Sequence, residues 1–353
     1  MKNTIQLLDT TLRDGGLGLE DAFINGLSDK GFTDEERIKI TSNLCQSNID
    51  IVELGSIEAS VEDKSRFGIY KNVESVSKQI PTNRQFNQMY VGLFRGPDTP
   101  IEDIPKWNPE LVDGLRVIIR YSEFQKSLDF CARLAEKGYK VFVQPMLTMR
   151  YSDIEIDHMI NAVNKMKAYA LYFVDSYGYM DSENVKSFLE KFNQGLEKQV
   201  RIGFHAHNNM NLAYANTISF INQFSDRNKI IDACAFGMGQ GAGNLQTELI
   251  MPYLLQHHIS GGYNYNYILE NCEIVERFLN PNLWGYSVTR LLPAIHKTAY
   301  KYAIALREKY HLSYVQINDI LSQMPENLRH RYTVENTELL VNSIKKNLGE
   351  IKK

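Results

Sequence analysis

The chain has 353 residues, 43% hydrophobic and 23% charged, enough to bury a sizeable core, with a net charge of −3 from 39 basic and 42 acidic side chains. That balance gives no electrostatic case for nucleic acid or an anionic membrane, and leaves a small molecule as the expected partner. Cys45, Cys131, Cys234 and Cys272 stand far apart without metal-binding spacing, no apolar run approaches the roughly 20 residues that span a bilayer, and no charged-then-apolar leader opens the chain, so a reducing cytoplasmic setting is expected.

Short β-rich apolar runs recur at 5–13, 49–56, 88–95, 114–120, 140–147, 170–176, 200–208 and 230–237. Between them lie stretches of helical periodicity, three of them opened by capping-box patterns at Thr33/Glu36, Ser122/Gln125 and Ser152/Glu155, with Gly138 and Gly195 placed to stop two helices. Strand then helix, eight times over, with strands apolar on both faces, predicts a (β/α)8 TIM barrel. An open doubly wound sheet is the alternative, weakened because no Gly-x-Gly-x-x-Gly turn follows the first strand. The glycine-rich stretch 15–32 reads either as a lid over the barrel mouth or as a plain surface excursion. After about residue 265 the strand rhythm stops, and 287–311 and 313–323 read as helices, the second broken by Pro325. The expected division is a catalytic barrel over 1–264 and a helical C-terminal extension over 265–353.

His205 and His207 lie two apart on an apolar strand, so both imidazoles share one face. Alone, such a pair reads as two hydrogen-bonded histidines. Barrel closure changes the odds: strands seven, eight and one become neighbours, and Arg13-Asp14, the histidines and Asn244 converge at the C-terminal mouth, a nitrogen and oxygen set suited to Mn²⁺, Mg²⁺, Co²⁺ or Zn²⁺. Parity leaves one question open: Asp9, Thr11 and Arg13 share a strand face and Asp14 falls beyond it, which makes Asp9 a rival ligand. Glu53 and Gln144 are polar groups near strand ends, either lining the site or satisfied inside the barrel. Asp175 either orients a histidine or caps the next helix.

Asp9-Thr10-Thr11-Leu12-Arg13-Asp14-Gly15, His205-Ala206-His207-Asn208 and Gly241-Ala242-Gly243-Asn244 resemble the metal-dependent lyases and synthases that include hydroxymethylglutaryl-CoA lyase, isopropylmalate synthase and 4-hydroxy-2-oxovalerate aldolase, over roughly residues 5–260. The resemblance implies a divalent ion held by Asp14, His205 and His207, with Asn244 joining or supporting them, and Arg13 steadying an enolate oxygen; it settles parity in favour of Asp14. It implies a metal-dependent aldolase that cleaves or forms a 4-hydroxy-2-oxo acid. The glycine-rich loop, with Gln240 and Gly241 where the synthases carry Glu-Arg and with no cysteine, looks like the aldolase version. The histidine base expected three residues after the aspartate is here Leu17, and Tyr286, Tyr177, Tyr179, Glu20 and Asp21 are candidates to replace it. An acyl-CoA-dependent condensing synthase and a non-catalytic metal-binding barrel are the alternative readings. A homo-oligomer fits barrels of this kind, whereas Trp284-Gly285-Tyr286-Ser287 and the helical tail weaken the case for an aldehyde dehydrogenase partner.

Overall fold

A computed structural model describes residues 4–59, 62, 64–259, 262–280 and 283–350. Eight parallel strands form its centre: β1 (Ile5–Asp9), β2 (Ile51–Ile57), β3 (Met89–Phe94), β4 (Gly114–Ile119), β5 (Lys140–Pro145), β6 (Ala170–Asp175), β7 (Arg201–Ala206) and β8 (Lys229–Ala233). β1 pairs with β8 from Ile5↔Lys229 to Asp9↔Ala233 and with β2 at Leu8↔Ile51, so the ring closes and the open-sheet alternative falls. All eight runs read from the sequence are strands of this (β/α)8 barrel. A two-residue strand, Ile69–Tyr70, lies beside β2 outside the ring.

The barrel interior is layered. Leu8, Ile51, Val91, Phe142, Ala170 and Ile230 pack together toward its N-terminal end. Above them Glu53, Arg116, Tyr172 and Asp232 project from the four even strands, the alternate-strand pattern by which eight-stranded barrels fill their axis. Burying such charges costs several kcal/mol per ion unless each is paired. Here they are: Arg116 Nη1 lies 3.0 Å from Glu53 Oε2, its Nη2 contacts Asp232 Oδ2, and the Tyr172 hydroxyl donates to Asp232 Oδ1 at 3.1 Å.

Local chemistry sets most helix starts. Thr33 and Ser152 form reciprocal capping boxes with Glu36 and Glu155. The box expected at Ser122 does not form, because Glu123 is drawn to Arg120 and Lys126 and the helix Phe124–Glu136 follows a tight turn instead. The stretch read as a lid or surface excursion begins as a helix, Gly16–Ile24. Its glycines serve close approach: a Cβ on Gly18 would lie 2.8 Å from the Gly239 carbonyl oxygen, so only glycine lets this helix touch the glycine-rich loop after β8.

Helix Tyr265–Glu276 packs on Asp34–Gln46, with Asn43 Nδ2 donating to Asn271 Oδ1 at 2.9 Å, and its Ile268, Cys272 and Val275 join the outer core of the barrel. The helix expected over 287–311 is two, Val288–Ile295 and Lys301–Glu308, parted by a turn in which Lys297 has φ +54°. Arg329 Nη1 donates to the freed His296 carbonyl at 3.0 Å. With Tyr314–Ser322, Glu326–Arg329 and Val334–Glu350 they build a second apolar cluster around Leu292, Tyr302, Leu306, Ile317 and Leu321. Tyr300 and Lys301 bind Asp21 of the first helix, tying this cluster to the barrel mouth. No described helix is long and apolar enough to cross a membrane.

Candidate active site

A cavity of about 620 Å³ opens at the C-terminal end of the strands and is lined by Arg13, Asp14, Gln144, His205 and His207, among others. Asp14 reaches it through a device that resolves the parity question. β1 stops at Asp9, and residues Thr11–Gly15 form a π-helical turn whose wider winding swings Asp14 to the mouth. Asp9 faces the other way, accepting from the Thr11 amide (2.9 Å) and hydroxyl (3.0 Å) and from the Thr247 hydroxyl (3.3 Å). Burial raises its pKa to about 7. Asp9 is therefore not a rival ligand.

The two histidines are held in one tautomer. His205 Nδ1 lies 2.9 Å from Asp232 Oδ2, and His207 Nδ1 lies 3.2 Å from the Ser176 carbonyl oxygen, which can only accept. Against the upward pull of burial, Arg116 and His205 hold the Asp232 carboxyl below its usual range, so it too is an acceptor. Nδ1 of each ring therefore carries a proton, and the two Nε2 atoms face each other at 3.2 Å. Burial pushes His207 down to about 4, keeping it neutral. Asp14 Oδ2 completes the group, 3.4 Å from His205 Nε2 and otherwise without a partner, while its Oδ1 is held by Arg13 at 2.5 Å. Imidazole nitrogens and a carboxylate oxygen turned on one point are the donor types that bind divalent ions. Among the described residues no group of three His, Cys, Asp or Glu is already placed to hold an ion, so the fit is one of donor type.

Asn244 arrives by its own route. The loop after β8 zips onto the end of β7 through Asn208 N to Gly243 O (2.9 Å) and Leu245 N to Ala206 O (3.2 Å). Gly243, at φ +80°, permits the turn, since a Cβ there would lie 2.1 Å from the Gly237 carbonyl oxygen. Asn244 Nδ2 donates to Met238 O at 2.7 Å, which leaves Oδ1 buried and unpartnered.

Glu53 does not line the cavity. It lies fully buried beneath, where Oε2 accepts from Arg13 Nε at 2.6 Å and is ion-paired with Arg116 Nη1 at 3.0 Å, and so fixes the guanidinium at the mouth. Gln144 does line it, with its amide oxygen toward Arg116 (3.1 Å to Nε, 2.8 Å to Nη2). Asp175 caps its own turn, accepting from the amides of Tyr179 (3.0 Å) and Met180 (3.2 Å). Tyr286 is 55% exposed and lies outside the cavity wall. Glu20 is ion-paired to Lys64 at 3.0 Å and also lies outside it. Sequence reading missed Asp232, Arg116 and His330; a lone carboxylate in the apolar run Ile230-Ile231-Asp232-Ala233 was the available signal for the first.

A closed parallel barrel with this mouth defines the class of enzyme. Residues 118–275 match the HMGL-like family model, and the chain belongs to that family of lyase-type enzymes. It is 30% identical over 243 residues to the 4-hydroxy-2-oxovalerate aldolase of Burkholderia thailandensis, covering 67% of each chain, and 24% identical over 251 residues to the oxaloacetate decarboxylase of Mycobacterium tuberculosis, covering 70% of this chain and 69% of that one. Its fold matches the N-terminal domain of a candidate aldolase from Bacteroides vulgatus with a TM-score of 0.70 and 24% identity, over 87% of this chain and 98% of that domain.

Proposed function

We propose that the protein is a divalent-metal-dependent aldolase that cleaves or forms a 4-hydroxy-2-oxo acid through a pyruvate enolate. The observation that carries this reading is the convergence of two Nε2 atoms and the Asp14 Oδ2, which makes no hydrogen bond, on one point of the mouth. Asp14, His205 and His207 would hold the ion, with Asn244 Oδ1 beside them. A divalent ion, Mn²⁺ or Mg²⁺ first with Co²⁺ or Zn²⁺ as alternatives, would supply Lewis-acid stabilisation to the oxygens of a 2-oxo acid.

The chain's own residues do the rest. Arg13, pinned by Glu53 and Asp14, adds a fixed positive charge where negative charge develops on the enolate oxygen, and a donor already oriented costs no reorganisation. Residues 1–264 would carry the chemistry and 265–353 would wall the cavity through Thr298, Ala299, Tyr300 and His330. Decarboxylation of oxaloacetate passes through the same enolate, and the match to a decarboxylase of that acid supports it as a companion reaction.

The test follows the methyl protons of pyruvate by NMR in D₂O, with Mg²⁺ or with Mn²⁺ chelated before detection. Exchange that requires both the ion and His205, and disappears in His205→Ala, is the expected result. No exchange with any ion, together with no cleavage of any 4-hydroxy-2-oxo acid, would sink the reading.

A further inference from the structure

We propose that the proton of the substrate's 4-hydroxyl is carried by Tyr177, relayed through His330 and Glu326 of the C-terminal extension; the inference rests on the aldolase reading above. Leu17 leaves the mouth without a base on the first strand's loop, yet carbon–carbon cleavage requires that a hydroxyl proton leave. Tyr177 and His330 both line the cavity that holds Asp14, His205 and His207. They come from distant parts of the chain and meet in a hydrogen bond between the Tyr177 hydroxyl and His330 Nδ1. His330 Nε2 is 2.7 Å from Glu326 Oε1.

That arrangement sets the direction of the relay. The Glu326 carboxylate can only accept, so Nε2 carries the ring proton and Nδ1 is the free base that accepts from the phenol. The turn that presents Tyr177 is the one whose Ser176 carbonyl holds His207, which places the phenol one residue from the support of a proposed metal ligand. Tyr300 also lines the cavity, but its hydroxyl donates to an Asp21 carboxylate already neutralised by Lys301, a poorer proton acceptor.

In the cleavage direction the 4-hydroxyl proton passes to the Tyr177 oxygen as the phenolic proton passes to His330 Nδ1. The C3–C4 bond breaks, its electron pair stays on C3 as the enolate, and the C4 oxygen becomes the aldehyde carbonyl. The imidazolium on His330 faces Glu326 and gives its proton up to solvent, while C3 takes a proton from water, giving pyruvate and restoring both groups.

Oxaloacetate separates this role from a structural one, because losing CO₂ needs the enolate but no hydroxyl proton removed. The full chain loaded with Mn²⁺ is assayed on 4-hydroxy-2-oxo acids of five to seven carbons and on oxaloacetate. Tyr177→Phe is expected to lose about 100-fold or more in kcat for aldol cleavage, and His330→Gln about 10-fold or more, with decarboxylation held within about threefold in both. In ¹⁵N NMR of the resting protein, His330 Nδ1 is expected unprotonated. Equal loss of both reactions, full aldol cleavage in Tyr177→Phe, or a proton on Nδ1 would each overturn the relay. Wild-type protein that decarboxylates oxaloacetate but cleaves no hydroxy acid would overturn the aldolase reading instead, and the relay with it.

Discussion

Asp232 Oδ2 lies 2.9 Å from His205 Nδ1 while the same carboxylate takes Arg116 and the Tyr172 hydroxyl, so one buried group sets the tautomer of a proposed metal ligand and neutralises the barrel axis. Groups placed this way behind a ligand typically govern metal affinity by about 10–100-fold. Asp232→Asn keeps the size and removes the charge. It is expected to weaken Mn²⁺ binding by that factor, read by calorimetry or by the EPR signal of free Mn²⁺. Unchanged affinity would show that His205 needs no support from below.

Glu53 acts on Arg13 rather than on substrate. Glu53→Gln removes the charge that fixes the guanidinium and leaves Asp14, His205 and His207 in place. Turnover of a 2-oxo acid is expected to fall by about 10–100-fold, toward the range seen when one oriented donor is lost, with Mn²⁺ affinity little changed. Loss of affinity in step with turnover would assign Glu53 to the metal instead.

Arg116 is fully buried between two carboxylates. Replacing it with methionine fills similar volume but strands Asp232 without a counter-charge and leaves Glu53 with Arg13 alone, a change expected to cost about 3–5 kcal/mol. Urea unfolding of the metal-free protein measures it. A loss below about 1 kcal/mol would mean that the layer rearranges to pair its own acids.

Asp9 gives the pH dependence a sign. Burial raises its pKa to about 7 in the folded protein against an ordinary 3.8, so its contribution to stability is fully present below the ordinary value and is lost as pH rises toward 7. An Asp9→Asn variant, neutral at every pH, lacks that loss. Its stability relative to wild type is therefore expected to improve from pH 4 to about pH 7 and then level off in denaturant titrations. A difference flat across that range would show Asp9 ionising normally.

What the sequence determined by itself was the local and the periodic. Eight apolar runs spaced by helices define a parallel sheet covered on both faces and favour a barrel over an open doubly wound sheet, and a two-residue spacing puts His205 and His207 on one face. Tertiary structure decided whatever depends on closure and on small departures from regular geometry. A π-helical turn carries Asp14 to the mouth and leaves Asp9 outside, against strand parity. Closure stacks Glu53, Arg116, Tyr172 and Asp232 from four strands into one layer, turning Glu53 from a candidate lining residue into the anchor of Arg13. Tyr177 and His330, 153 positions apart, meet only because the C-terminal helices fold back over the mouth, a contact with no local signal in the chain.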